Sequence, residues 1–151
     1  MESKREMSGE AATDGGRLRV RIPPDPRYSR EVRERVAGFA AGFHVGDDDL
    51  REFLTAIGEA LANAMEHSRS TGQIKITCWI ENRNAMVATI VDEGVGFSAP
   101  ASVDSRLPDL FAERGRGMGI MRRCSDHVSV KSTPGKGTSV TLRRRIRHRT
   151  S

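Results

Sequence analysis

The stretch IKITCWIENRNAMVATIVDEGVG, residues 74–96, decides how this chain folds. Ile74, Ile76, Cys78 and Ile80 alternate, as one face of a strand does. Asn82-Arg83-Asn84 has turn chemistry, and Met86 to Val91 is apolar on both faces, the mark of a central strand. Two strands joined by so tight a turn pair antiparallel. Behind them, Asp92-Glu93-Gly94-Val95-Gly96 sets a carboxylate at the strand's end, followed by two glycines.

Working back toward the N-terminus, Asp47-Asp48-Asp49 opens a helix, where carboxylates favour the positive end of the dipole. Leu50, Phe53, Leu54, Ile57, Leu61 and Ala64 share one face of it, which runs to about His67 before Ser70-Thr71-Gly72 breaks it. Glu59 and Asn63, at i and i+4, are expected on the opposite face. Before it, Asp25-Pro26 reads as an N-cap and first helical position, with Val32, Val36, Phe39 and Phe43 at helical spacing. Leu18, Val20 and Ile22 alternate as an edge or half-buried strand, while polar, aperiodic residues 1–16 are expected to be a disordered tail.

Toward the C-terminus, Gly94 to about Arg116 has no period, and a connection of that length predicts a functional lid or disorder. Gly115-Arg116-Gly117-Met118-Gly119 closes it and leads into a short helix through Met121 and Cys124. Val128 and Val130, a turn at Pro134-Gly135-Lys136-Gly137, then Val140 and Leu142 mark two last strands. This order predicts an α+β two-layer sandwich: a mixed, largely antiparallel sheet with helices on one face.

Composition limits the function classes. At 36% hydrophobic and 5% aromatic residues, the core must rest on aliphatic side chains. No apolar run approaches the roughly 18 to 20 residues that span a bilayer. The charged first residues have no apolar segment behind them, and two cysteines make no disulfide framework, so a soluble, cytoplasmic protein is expected. The net charge of +5 resides in the last nine residues, RRRIRHRTS, which hold five of the 25 Lys and Arg. The remainder has 20 basic and 20 acidic residues, so nucleic acid is not the expected partner.

Three segments carry candidate chemistry. An isolated Glu and Asn on a helix are ordinarily a solvated face, but Ala56, Ala60 and Ala62 would let a ligand lie close to Glu59 and Asn63. Asn offers a hard oxygen suited to Mg²⁺, and Glu a general base. Asp92 with Gly94 and Gly96 is either a plain loop start or a carboxylate beside backbone that a flat ligand can approach. Gly115 to Gly119 exposes backbone N–H groups at a helix N-terminus, which suits phosphate, though a glycine-rich loop alone is weak evidence. The four His and two Cys show no metal-ligand spacing, and no nucleophile elbow is present.

In this order and spacing the three segments resemble the N, G1 and G2 boxes of the GHKL ATPase superfamily, over roughly residues 17–146, with 147–151 left as a basic tail. Within it the chain is similar to bacterial anti-sigma-factor serine kinases, through its small size and the helix Gly58-Glu-Ala-Leu-Ala-Asn-Ala-Met-Glu-His67. The resemblance implies ATP and Mg²⁺ as cofactors, a sigma factor and an anti-anti-sigma phosphoacceptor as partners, and a homodimer. It implies that Asn63 binds Mg²⁺, Glu59 activates the accepting serine hydroxyl, and Asp92, helped by Thr138, takes the adenine amino group. Gly94 and Gly96 would shape the adenine pocket, and Gly115, Gly117, Met118 and Gly119 would cradle phosphates. Two departures stand out: Gly115 replaces an arginine of some members, which leaves Arg114 or Arg116 for the γ-phosphate with Arg116 favoured, and Gly58 replaces a common serine. The alternative to a kinase is a module that binds ATP only as a conformational ligand. The intact Glu59 favours the enzyme.

Overall fold

In the computed structural model, which describes residues 10–14, 16–67, 72–93, 115–133 and 137–147, the hairpin lies at the middle of a six-stranded sheet. Its strands are β1 (Glu10–Asp14), β2 (Arg17–Ile22), β3 (Ile74–Glu81), β4 (Ala85–Asp92), β5 (His127–Thr133) and β6 (Gly137–Arg145). The order is β1-β2-β3-β4-β6-β5, and each of these pairings is antiparallel rather than mixed. β4 and β5 run the same way, as the ends of a strand-helix-strand crossover do, but β6 folds back between them and removes any parallel pair.

Three α-helices cover one face: α1 (Ser29–Ala40), α2 (Asp47–His67) and α3 (Gly115–Arg123). Asp25 accepts a hydrogen bond from the Arg27 N–H at 2.9 Å, but it caps a 3₁₀ turn, Pro26–Tyr28, from which α1 continues. His44, left-handed at φ 58°, turns the chain toward the aspartates that open α2. Phe43, expected in the α1 stripe, is exposed beyond the helix end, while Val32 and Val36 are fully buried.

The inner sheet face gives Leu18, Val20, Ile22, Ile74, Ile76, Met86, Ile90, Val140 and Leu142 to the core, against Phe53, Ile57 and Leu61 of α2 and Met121 of α3. Burying each such side chain stabilises the fold by roughly 1.5 to 3 kcal/mol. On the outer face Ala85 and Val87 are also buried, as a central strand requires, and the Arg17 guanidinium sits 4.4 Å above the Trp79 ring.

Both termini differ from expectation. Residues 10–14, read as part of a disordered tail, form β1 and pair with β2 from Glu10↔Arg21 to Asp14↔Arg17. A strand that adds to a preformed edge needs backbone hydrogen bonds more than apolar alternation, so its sequence carries little signal. β2 is therefore paired on both sides and is not an edge. Three of the five C-terminal arginines, Arg143, Arg144 and Arg145, belong to β6, so the basicity is not confined to a tail. Arg147, placed in that tail, donates its backbone N–H to Asp49 at 2.8 Å. No described helix is long and apolar enough to cross a membrane.

Candidate functional site

The inner face of the sheet is apolar between Arg144 at one end and its last row at the other. There Asp92, at the end of β4, lies directly across from Thr138 on β6, which lies across from Ser132 on β5. All three are buried: Asp92 is 2% exposed. The Ser132 and Thr138 hydroxyls are 3.0 Å apart. Gly137 holds this corner, at φ +104°, a region closed to most side chains. A Cβ there would overlap the Asp92 carbonyl oxygen and come within 3.1 Å of the Glu93 Cα. Thr138 thus stands beside Asp92, as expected, and Ser132 joins them. Its only sequence signal was its place two residues after Val130 in the β5 alternation.

α2 delivers the second group. Arg144 of β6 lies opposite Met86 of β4 and holds Asp49 near the start of α2. From Asp49 to Asn63 the helix advances about 21 Å. From Met86 to Asp92 the strand advances about 20 Å. α2 packs against β4 and β6, and Asn63 lies about one length of β4 beyond the Arg144–Asp49 pair.

Glu59 and Asn63 do not face solvent as expected. Glu59 is half-buried and Asn63 only 6% exposed. α3 packs against α2, and Cys124 just past its end lies within range of Glu59. The Asn63 amide nitrogen is buried with no hydrogen-bond partner among the described residues. An orphaned buried amide costs about 1 to 3 kcal/mol unless something completes it. Glu59 also borders a groove of about 580 Å³ with Arg33, Leu54 and Gly58.

Gly115 to Gly119, read as a loop before a helix, is already the first turn of α3. The N–H groups of its first four residues have no acceptor within the helix, so the capacity for anions survives the correction. The Cys124 carbonyl just past the α3 C-terminus accepts from Arg144, near the start of α2. Cys124 lies within range of the charges of Glu52 and Glu59 of α2, the helix on which α3 packs. The side chains of Arg116 and Met118 lie outside the described residues, as do Arg114, Gly94, Gly96 and the lid from 94 to 114.

Titration follows packing. Burial opposes ionisation of Asp49, but the Arg147 N–H, then the hydrogen bond and charge of Arg144, outweigh it and hold its pKa below the ordinary value. Burial pushes the Cys78 thiol up to about 12, so it is inert. Cys124 is also raised, first by burial and then by Glu52. No group of three or more His, Cys, Asp or Glu gathers among the described residues.

The chain belongs to the histidine kinase-like ATPase domain family, whose model matches residues 22–144. It is 31% identical over 123 residues to the anti-sigma F factor of Thermoanaerobacter sp. (strain X514), covering 76% of this chain and 83% of that one. It is 35% identical over 124 residues to the anti-sigma F factor of Geobacillus kaustophilus (strain HTA426), covering 76% and 82%. Among solved structures, the RsbU and RsbW domains of a Mycobacterium tuberculosis protein superimpose with TM-score 0.64 at 18% identity, over 89% of this chain and 34% of that longer one. The histidine kinase domain of the Erythrobacter litoralis EL346 blue-light activated kinase gives 0.54 at 17% identity, over 96% and 69%. At such identity the two structures speak for the shared α+β fold.

Proposed function

We propose that this domain is an ATP-dependent serine kinase that acts as an anti-sigma factor, holding a sigma factor and phosphorylating a small anti-anti-sigma protein. The observation that supports the nucleotide half is the buried polar group Asp92, Thr138 and Ser132 at the end of the sheet, together with a buried Asn63 whose amide N–H has no partner among the described residues and can donate to a ligand oxygen. The sigma-binding half rests on relatives named anti-sigma F factor.

Asp92 accepts from the adenine amino group, with Thr138 beside it. Asn63 holds Mg²⁺, and the first turn of α3, with Gly115, Gly117, Met118, Gly119 and Arg116, holds the phosphates. Gly94 and Gly96 complete the adenine side. Bound there, ATP would give its γ-phosphoryl group to the serine oxygen and leave as ADP, with Mg²⁺ offsetting the charge. Glu59, one turn from Asn63, takes the proton of the incoming serine hydroxyl. The domain works in the cytoplasm as a homodimer, as a folded unit near residues 17–146 extended by β1 and Arg147.

The test is a pull-down from the source cell with and without ATP, followed by mass spectrometry of phosphoserine on bound proteins. A retained sigma factor and a new phosphoserine on a co-purifying protein are expected. Retention without any phosphoserine would make the domain a non-catalytic binding module.

A further inference from the structure

We infer that Arg144 is a positioning residue for the nucleotide phosphates, acting as a clamp that fixes α3 through its C-terminal end. The inference rests on the ATP-binding reading above and adds to it a residue far from the pocket.

α3 is poorly equipped to hold itself in place. It has nine residues, three of them glycine, and each glycine costs about 1 kcal/mol in a helix relative to alanine. Nine-residue helices are too short to be stable alone, so tertiary anchors set the position of this one. Two such anchors stand out among the described residues. One is Met121, fully buried in the core. The other is Arg144, which donates from Nη1 to the Cys124 carbonyl at 3.3 Å, where a cation also favours the negative end of the helix.

Arg144 is itself held firmly, at 12% side-chain exposure. Its Nε and Nη2 both donate to Asp49 Oδ1, at 3.2 and 2.8 Å, and Nη1 pairs with Glu52. The second Asp49 oxygen is occupied by the Arg147 N–H. One planar guanidinium thus ties three elements together: β6, the first turns of α2, and the end of α3. That is a task for a fixed fork of donors rather than a point charge. A shift of α3 at this end displaces the whole nine-residue helix, its glycine-rich first turn included, while Asp92, Thr138 and Ser132 sit on the sheet and stay put. Arg144 therefore governs phosphate affinity and leaves adenine recognition alone.

The test is calorimetric titration of ATP, ADP and adenosine into three proteins: wild type, Arg144→Lys, and the double variant Asp49→Asn/Arg144→Met. The lysine keeps a charge for Asp49 but loses the fork. The double variant keeps similar volume and leaves neither Arg144 nor Asp49 charged and unpaired, so it remains informative should the lysine protein fail to fold. In both variants ATP and ADP are expected to bind about tenfold more weakly, the equivalent of one displaced phosphate contact, with adenosine affinity within about twofold of wild type. Unchanged ATP affinity, or an equal loss for adenosine, would overturn the clamp, since a merely structural residue weakens all three ligands alike. A wild type that binds none of the three would overturn the nucleotide reading itself.

Discussion

Gly137→Ala tests the corner on which the nucleotide pocket depends. The residue has φ +104°, so any side chain adds backbone strain of about 1 to 3 kcal/mol. The new methyl would also overlap the Asp92 carbonyl oxygen and lie 3.0 Å from the carbon that bears it. These are backbone atoms of the central strand and cannot swing away as a side-chain tip does. Relief requires β6 to part from β4 at the Asp92↔Thr138 pair, at a further cost of about 1 kcal/mol for a ladder hydrogen bond. The sum is about 2 to 4 kcal/mol, and a domain of this size loses roughly 2 to 4 °C of Tm for each. Differential scanning calorimetry should therefore show Gly137→Ala melting about 10 °C below wild type, with no stabilisation by ATP. Gly38→Ala is the control: its site on α1 is exposed with nothing within 4 Å, so it should raise Tm by about 2 °C. A Gly137→Ala protein that melts with wild type would refute the close approach of β6 to Asp92.

Saturating ATP at about a hundred times Kd should stabilise the wild type by about 2.7 kcal/mol, several degrees in a thermal-shift assay, and Asp92→Ala should show no shift. An equal shift in both would remove Asp92 from the site. Because the folded pKa of Asp49 is depressed, its stabilising contribution is complete above the unfolded carboxylate value near 4 and is lost as pH falls through the lower folded value. Urea melts at pH 7 and pH 3 should therefore differ less for Asp49→Asn than for wild type, and equal differences would contradict the assignment. Ending the chain after Arg147 should leave Tm unchanged, whereas ending it after Ile146 removes the N–H that binds Asp49 and should lower it by several degrees, an order consistent with about 1.5 to 3 kcal/mol for a bond to a charged group.

What the sequence disclosed follows from the range of the forces involved. The central hairpin and α2 were legible because alternation and the 3.6 period are local consequences of burial on one face. β1 was not, since EAATD has no apolar rhythm and is ordered by backbone pairing to β2. The start of α3 at Gly115 was hidden because glycines argue against helix, while the contacts that override them come from α2 and the core. Glu59, Asn63, Asp92 and Thr138 were legible as residue types in order, but the burial of Asn63 was not, because it depends on the tertiary packing around α2. The Arg144–Asp49 pair joins residues 95 apart, and nothing in RRRIRHRTS distinguishes the one arginine that turns inward.

As proposed, this pocket transfers phosphate as well as binding nucleotide, and Glu59→Gln separates the two. Glutamine keeps the size and hydrogen bonding of the side chain but cannot take a proton, and a general base contributes about 10² to 10⁴ in rate with little effect on affinity. ATP affinity and phosphoserine formation on the co-purified acceptor should be measured on the same wild-type and Glu59→Gln preparations. The account predicts near-equal affinities and phosphorylation at least about a hundredfold slower in the variant. Phosphorylation at the wild-type rate by Glu59→Gln, or none by the wild type, would contradict it.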